Sequence, residues 1–220
     1  MPAASPFEPG GTIGSLLQRK NPLMSLQTIA QASLDQLFFN ARTVHAFQNV
    51  PVSDDTLRQL YDLLKWAPTA FNAQPARFVF VKSPEGKERL LKAMSPGNVG
   101  QTTAAPVSVI VAQDTRFQEH LPTQFPAFDA KPLFDGNPAM AEATASRNSS
   151  LQGAYLILAA RALGLDCGPM SGFNPQAVNE AFFPDGRYKA NFIVNLGVAD
   201  HSATFPRGPR LGFDEACQIA

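Results

Sequence analysis

The chain has 220 residues, 45% of them apolar and 16% charged, enough for one large domain or two small ones with a full core. Eighteen basic residues balance eighteen acidic ones, which argues against a nucleic-acid binder held by an overall positive field. No stretch approaches the roughly 20 uninterrupted apolar residues of a membrane-spanning helix. The two cysteines, Cys167 and Cys217, stand far apart with no CxxC and no neighbouring His pair. This pattern predicts neither a metal site nor a disulfide framework, and a reducing cytoplasm is the expected location. Cys167 reads as a small buried hydrophobe.

Residues 1–23 carry several Pro and Gly with little periodicity. They read as an arm that is poorly ordered or wraps a partner, or as an extension upstream of a start at Met24. Residues 24–220 are expected to form a single domain. Helical spacing begins at Leu26, Ile29, Ala30, Leu34, Leu37 and Phe38. Ser53, followed by Asp54 and Asp55, predicts the N-cap of a second helix that ends before Pro68. Pro68-Thr69-Ala70-Phe71-Asn72-Ala73-Gln74-Pro75 is then a loop of small and amide side chains, able to admit a planar ligand close to its backbone.

A strand is expected over 77–82, and a helix opening with Ser83-Pro84-Glu85 follows it. The almost wholly apolar run 106–112 predicts an interior strand. Residues 114–137 show weak periodicity and several Phe and Pro, as in an insertion beside a site or interface. The longest helical pattern spans 139–163, rich in small residues, with Gly164 as its C-cap. A helix starting at Asn174-Pro175 and a strand over 191–197 complete an α+β chain with at least three strands. The absence of GxGxxG excludes a Rossmann dinucleotide fold, and no Walker GKS/T, HExxH or GxSxG appears.

Four segments stand out: Arg42-Thr43-Val44-His45-Ala46-Phe47, the 68–75 loop, Gly164-Leu165-Asp166-Cys167-Gly168-Pro169-Met170-Ser171-Gly172-Phe173, and Arg207-Gly208-Pro209-Arg210-Leu211. In this order and spacing they resemble the FMN-dependent nitroreductase family, over essentially 25–220. The words Arg147-Asn148-Ser149-Ser150, Arg161-Ala162-Leu163-Gly164-Leu165-Asp166 and Gly168-Pro169-Met170-Ser171-Gly172-Phe173 are similar to its malonic-semialdehyde reductase branch.

The resemblance implies a nitroreductase-like fold, a central mixed sheet flanked by helices in an intertwined homodimer, with FMN bound at the subunit interface. It implies that Arg42, Thr43, His45 and Arg210 hold the phosphate and that Arg207 belongs to the same cofactor site. Pro68, Thr69, Asn72 and Gln74 would meet the flavin ring or ribityl chain, and Pro169, Met170, Ser171 and Gly172 would pass beside N5. His45 stands where the family usually has Arg or Lys, and Ser171 where a Glu is frequent. Either departure alters affinity or donor preference.

The activity implied is ping-pong hydride transfer from NADH or NADPH through flavin N5. The acceptor would be malonic semialdehyde, reduced to 3-hydroxypropionate in pyrimidine degradation, with Arg77 or Arg147 holding its carboxylate. No side chain is needed as a catalytic acid. The competing readings are a broad nitroaromatic or quinone reductase and a flavin-binding protein without turnover.

Overall fold

The computed structural model describes residues 27–203 and 205–220. The expectations for the 1–23 arm and for a start at Met24 fall outside them. Helix α1 (Gln31–Leu34) runs directly into a π-helical turn, Asp35–Phe39, whose carbonyls matter below. Helix α2 (Asp54–Leu64) starts where capping chemistry placed it: Ser53 accepts from the Thr56 amide, and Asp54 and Asp55 complement the helix dipole. Strand β1 (Ala76–Val81) is followed by α3 (Pro84–Leu91), again with a Ser N-cap, Ser83 accepting from Gly86 N, and Pro at the first turn.

Helix α4 (Pro96–Ala104) was not legible from periodicity, since it buries only Thr102. Strand β2 (Val107–Asp114) is buried along its whole length, as its apolar run predicts. The 114–137 region is more regular than expected. It holds a 3-10 turn (Phe117–His120), α5 (Leu121–Gln124) and α6 (Lys131–Asp135). Helix α7 (Pro138–Ala162) follows, 25 residues long, and Gly164 closes it with φ +79. Asp166–Met170, expected as loop, is strand β3. Helix α8 (Pro175–Phe182), strand β4 (Tyr188–Gly197) and a short α9 (Phe213–Ala216) complete the order.

The sheet runs β1-β2-β4-β3 with every named pair antiparallel. Parallel pairing enters through an isolated bridge between Thr43 and Cys167, which lays the 42–47 segment beside β3. Because β2 alternates, its two faces feed two cores. Val107, Val109 and Val111 pack with Leu60, Leu64, Leu156 and Leu196, under α2 and α7. Ile110 and Ala112 pack with Val81, Leu90, Phe173 and Val178, against α3 and α8. Cys167 lies in the first core, as expected of a small hydrophobe, and burial pushes its thiol up to about 12. No helix among the described residues is long and apolar enough to cross a membrane.

Candidate functional site

The segment after α1 is drawn onto β3 by the bond from Val44 N to Cys167 O, 3.0 Å. Gly168 is what permits this approach, because a Cβ there would sit 2.4 Å from the Val44 carbonyl. The result is a cavity of about 500 Å³ lined by Arg42, Thr43, His45, Arg161, Arg207 and Arg210, with Phe38, Phe39 and Phe205 among its apolar walls. Five of these residues are ones expected at the cofactor, and four of them, Arg42, Thr43, His45 and Arg210, at its phosphate. Arg161, in the last turn of α7, joins them without having been expected there.

The arginines are held by neutral groups. Arg207 donates to the carbonyls of Phe38, Phe39 and Ala41, at 3.1, 2.7 and 2.8 Å. Arg42 donates to Phe39 O and Ala41 O, both at 3.0 Å, and Arg161 to Leu37 O at 2.9 Å. Arg210 donates to the carbonyls of Gly208 and Pro209. Among the described residues none of the four is in an ion pair. Arg207 is held below the ordinary arginine value by loss of solvent and by repulsion from Arg42, Arg210 and Arg161. Several cations share one concave space without a carboxylate, which is the electrostatic requirement for an anion site.

This cavity is wired to the end of β3. His45 Nδ1 lies 2.9 Å from Gln101 Oε1, Gln101 Nε2 donates to Asn98 Oδ1 at 2.6 Å, and Asn98 Nδ2 donates to Gly172 O at 2.9 Å. The Gly172 carbonyl also accepts from Ser95 N. A Cβ at Gly172 would lie 2.4 Å from Asn98 Nδ2, so the contact needs glycine. Pro169 and Met170 lie half-buried on β3, and Ser171 is exposed beyond it. Asn98 and Gln101 sit on α4, the helix that periodicity missed.

The 68–75 loop is strained. Phe71, Asn72 and Gln74 all have positive φ (52, 47 and 42), and they are the non-glycine residues so placed among those described. Something must hold them there. Asn148 Oδ1 accepts from Ala70 N at 2.9 Å, and Gln152 Oε1 accepts from Ala76 N at 2.8 Å. These amides stand one turn apart on α7, both only 3% exposed, and clamp the two ends of the loop. Inside it, Thr69 Oγ1 accepts from Gln74 N, and Gln74 Nε2 donates to Asn72 Oδ1. Asn72 Nδ2 donates to Gln124 O, and Gln74 also donates to Gln124 Oε1, tying the loop to α5. Pro68 is exposed at its entrance. Within one chain this loop borders a different, smaller cavity, of about 210 Å³, through Ala73 and Gln74, with Arg77 of β1 beside them.

The two arginines expected to hold a substrate carboxylate are placed unlike each other. Arg77 is committed to the fully buried Asp114 at 2.8 Å and to the carbonyls of Gln74 and Ala76. Arg147 is exposed on α7. Among the described residues no cluster of His, Cys, Asp and Glu could hold a metal.

Fold and site thus define an α+β protein organised around a basic cavity at the edge of its sheet. A model of the nitroreductase family matches residues 40–198, and the chain belongs to that family. A relative in Polynucleobacter asymbioticus, called "Putative NADH dehydrogenase/NAD(P)H nitroreductase", is 60% identical over 86% of this chain and 96% of its own length. One of the same description in Rhodopseudomonas palustris is 58% identical over 87% of this chain and 98% of its own. Among solved structures, a nitroreductase-type protein of Bacillus subtilis superposes with a TM-score of 0.80 at 22% identity, over 87% of this chain and all of that one. A "putative nitroreductase in complex with FMN" of Exiguobacterium sibiricum gives 0.76 at 22% identity, over 89% and 100%. At such identities the structural likeness speaks for the fold alone.

Proposed function

We propose that this chain is an FMN-dependent oxidoreductase using NADH or NADPH, that it works as a homodimer in the cytoplasm, and that its acceptor is malonic semialdehyde, giving 3-hydroxypropionate. The observation that carries the cofactor is the basic cavity. Arg42, Thr43, His45, Arg161, Arg207 and Arg210 fit a phosphate dianion in number, charge and donor type. When bound, FMN supplies the two-electron chemistry, taking a hydride from the nicotinamide and giving it to the acceptor.

The chain's residues bind, orient and exclude water. The arginines would anchor the phosphate, and the β3 end, with Gly172 fixed by Asn98, would present backbone to the flavin. The clamped loop would meet the ring through Asn72 and Gln74, whose amides are already oriented by each other and by Gln124. In a single chain that loop and the basic cavity lie apart, which supports a site completed by a second subunit. Exposed Tyr155 and Leu151 on α7 and exposed Phe205, Leu211 and Phe213 near the carboxyl end are suited to such an interface.

One observation favours a broader quinone or nitroaromatic reductase: Arg77 is already paired with Asp114, leaving Arg147 as the candidate for a substrate carboxylate. An anaerobic experiment separates the readings. Protein reconstituted with FMN is bleached with NADH, then mixed with malonic semialdehyde or with a quinone. Recovery of the flavin bands with the aldehyde at a rate comparable to the quinone supports the aldehyde reading. Recovery with the quinone alone rejects the substrate and keeps the oxidoreductase, and protein that takes up no FMN rejects both.

A further inference from the structure

The hydrogen-bond chain from His45 to Gly172 has a direction. The Gly172 carbonyl can only accept, so the Asn98 amide must present its NH2 to it and its oxygen to the other side. That oxygen takes its hydrogen from Gln101 Nε2, which leaves Gln101 Oε1 facing His45. An amide oxygen only accepts, so the proton between them belongs to His45 Nδ1. The neutral ring is therefore locked with Nδ1 protonated and a lone pair on Nε2. His45 lines the basic cavity, and among the described residues Nε2 has no hydrogen-bond partner.

A lone pair on Nε2 repels a phosphate oxygen, whereas a protonated Nε2 donates to it with full charge assistance. The charged groups around the ring set which form is favoured. Arg42 on its own segment, Arg161 from α7, and Arg207 and Arg210 from the carboxyl-terminal stretch all share its cavity. Helix α4 contributes only the neutral amides of Gln101 and Asn98. Asp200, whose amide binds Ala46 O, spends its carboxylate on Ser202, and His201 follows it. Phe205 meets the ring edge to face at 5.8 Å. A phosphomonoester dianion bound among these cations favours the imidazolium over the neutral ring, because only the imidazolium can donate from Nε2.

We propose that His45 is a proton-coupled ligand of the cofactor phosphate: binding a phosphomonoester dianion draws one proton from solvent onto Nε2, while Nδ1–H stays on Gln101. This rests on the reading of the cavity as the FMN phosphate site. An Arg or Lys at this position would bind without proton uptake, so the histidine makes retention of the cofactor dependent on pH. Imidazole is the side chain whose charge changes between about pH 5 and 8.

The test is binding, not turnover. FMN and riboflavin are titrated into the apoprotein between about pH 6 and 8, using wild type, His45→Arg and His45→Gln. Proton uptake on FMN binding is measured calorimetrically in buffers of different ionisation enthalpy. The ratio of wild-type to His45→Arg Kd cancels the phosphate's own ionisation. That ratio is expected to rise roughly tenfold across the range, with riboflavin flat and His45→Gln weak at the acid end. Wild type is expected to take up more protons than either variant. FMN binding with a constant ratio and equal proton uptake overturns this inference alone. Protein that binds no FMN at any pH overturns the phosphate-site reading and the inference with it. Should a variant fold poorly, wild type alone still decides at about pH 7.5, where FMN is already mostly a dianion: FMN binding there without net proton uptake, relative to riboflavin, overturns the inference.

Discussion

The protein uses arginine in two opposite ways. At the end of β2, Arg77 and Arg187 converge on Asp114, which is 0% exposed and also receives the Arg116 amide at 2.9 Å. At the edge of β3, Arg42, Arg161, Arg207 and Arg210 converge on one another and are held by main-chain carbonyls. A carboxylate neutralises a guanidinium as it positions it, but a carbonyl positions it and leaves its charge in place. The first cluster is finished within the fold, and the second has charge still to spend on a ligand.

Breaking the first cluster should cost the most. Asp114→Ala leaves the partly buried Arg77 without its carboxylate and Arg187 with Glu119 alone, and about 3–5 kcal/mol of stability should be lost. The check is chemical denaturation, with FMN affinity of the remaining folded protein expected within about twofold of wild type. Arg42→Gln should do the reverse. Losing one charge-assisted phosphate contact, worth about 1.5–3 kcal/mol, should weaken FMN roughly tenfold to a hundredfold. Stability should stay within about 1 kcal/mol, and riboflavin affinity should be unchanged. If Asp114→Ala instead lowered FMN affinity as much as Arg42→Gln does, the division between the clusters would collapse.

Lys87 sharpens the contrast as a third case. Its ammonium is held by Thr102 O, Ala105 O and Ser108 Oγ, at 2.9, 2.9 and 2.7 Å, so it caps the end of α4 with a cation. Burial pushes its value down to about 8 from the usual 10.5. The folded chain thus releases this proton near pH 8, while the unfolded chain keeps it until about 10.5. Between those values the unfolded state binds more protons, so this group's contribution to stability rises with pH. The smallest effect expected is that upward slope in the denaturation midpoint, present in wild type and missing in Lys87→Met.

Local chemistry made much of the fold legible. Ser53, Ser83 and Asn174 cap the helices they were expected to cap, and the apolar run at β2 is interior. Helix α4 escaped because Gly97, Asn98, Gly100 and two threonines give it no apolar stripe. Strand β3 escaped because Gly168 and Pro169 read as turn residues. As an edge strand it tolerates a proline that a central strand would not.

The grouping of Arg42, His45 and Arg210 came through resemblance. Arg161, Asn148 and Gln152 did not, because they reach the site from a helix distant in sequence. Of these, the buried amides at 148 and 152 left a signal: polar side chains spaced by four on the inward face of α7 have to answer to some backbone group.

The bond from Arg207 to Phe38 O spans 169 residues. One wall of the basic cavity is therefore translated before α2 and the other after β4. Once β4 has been made, the nascent chain has every strand of its sheet but owns only half an anion site. Loading of a phosphorylated cofactor must wait until Arg207 and Arg210 have been made, so a chain that stops short of them has no means of sequestering it.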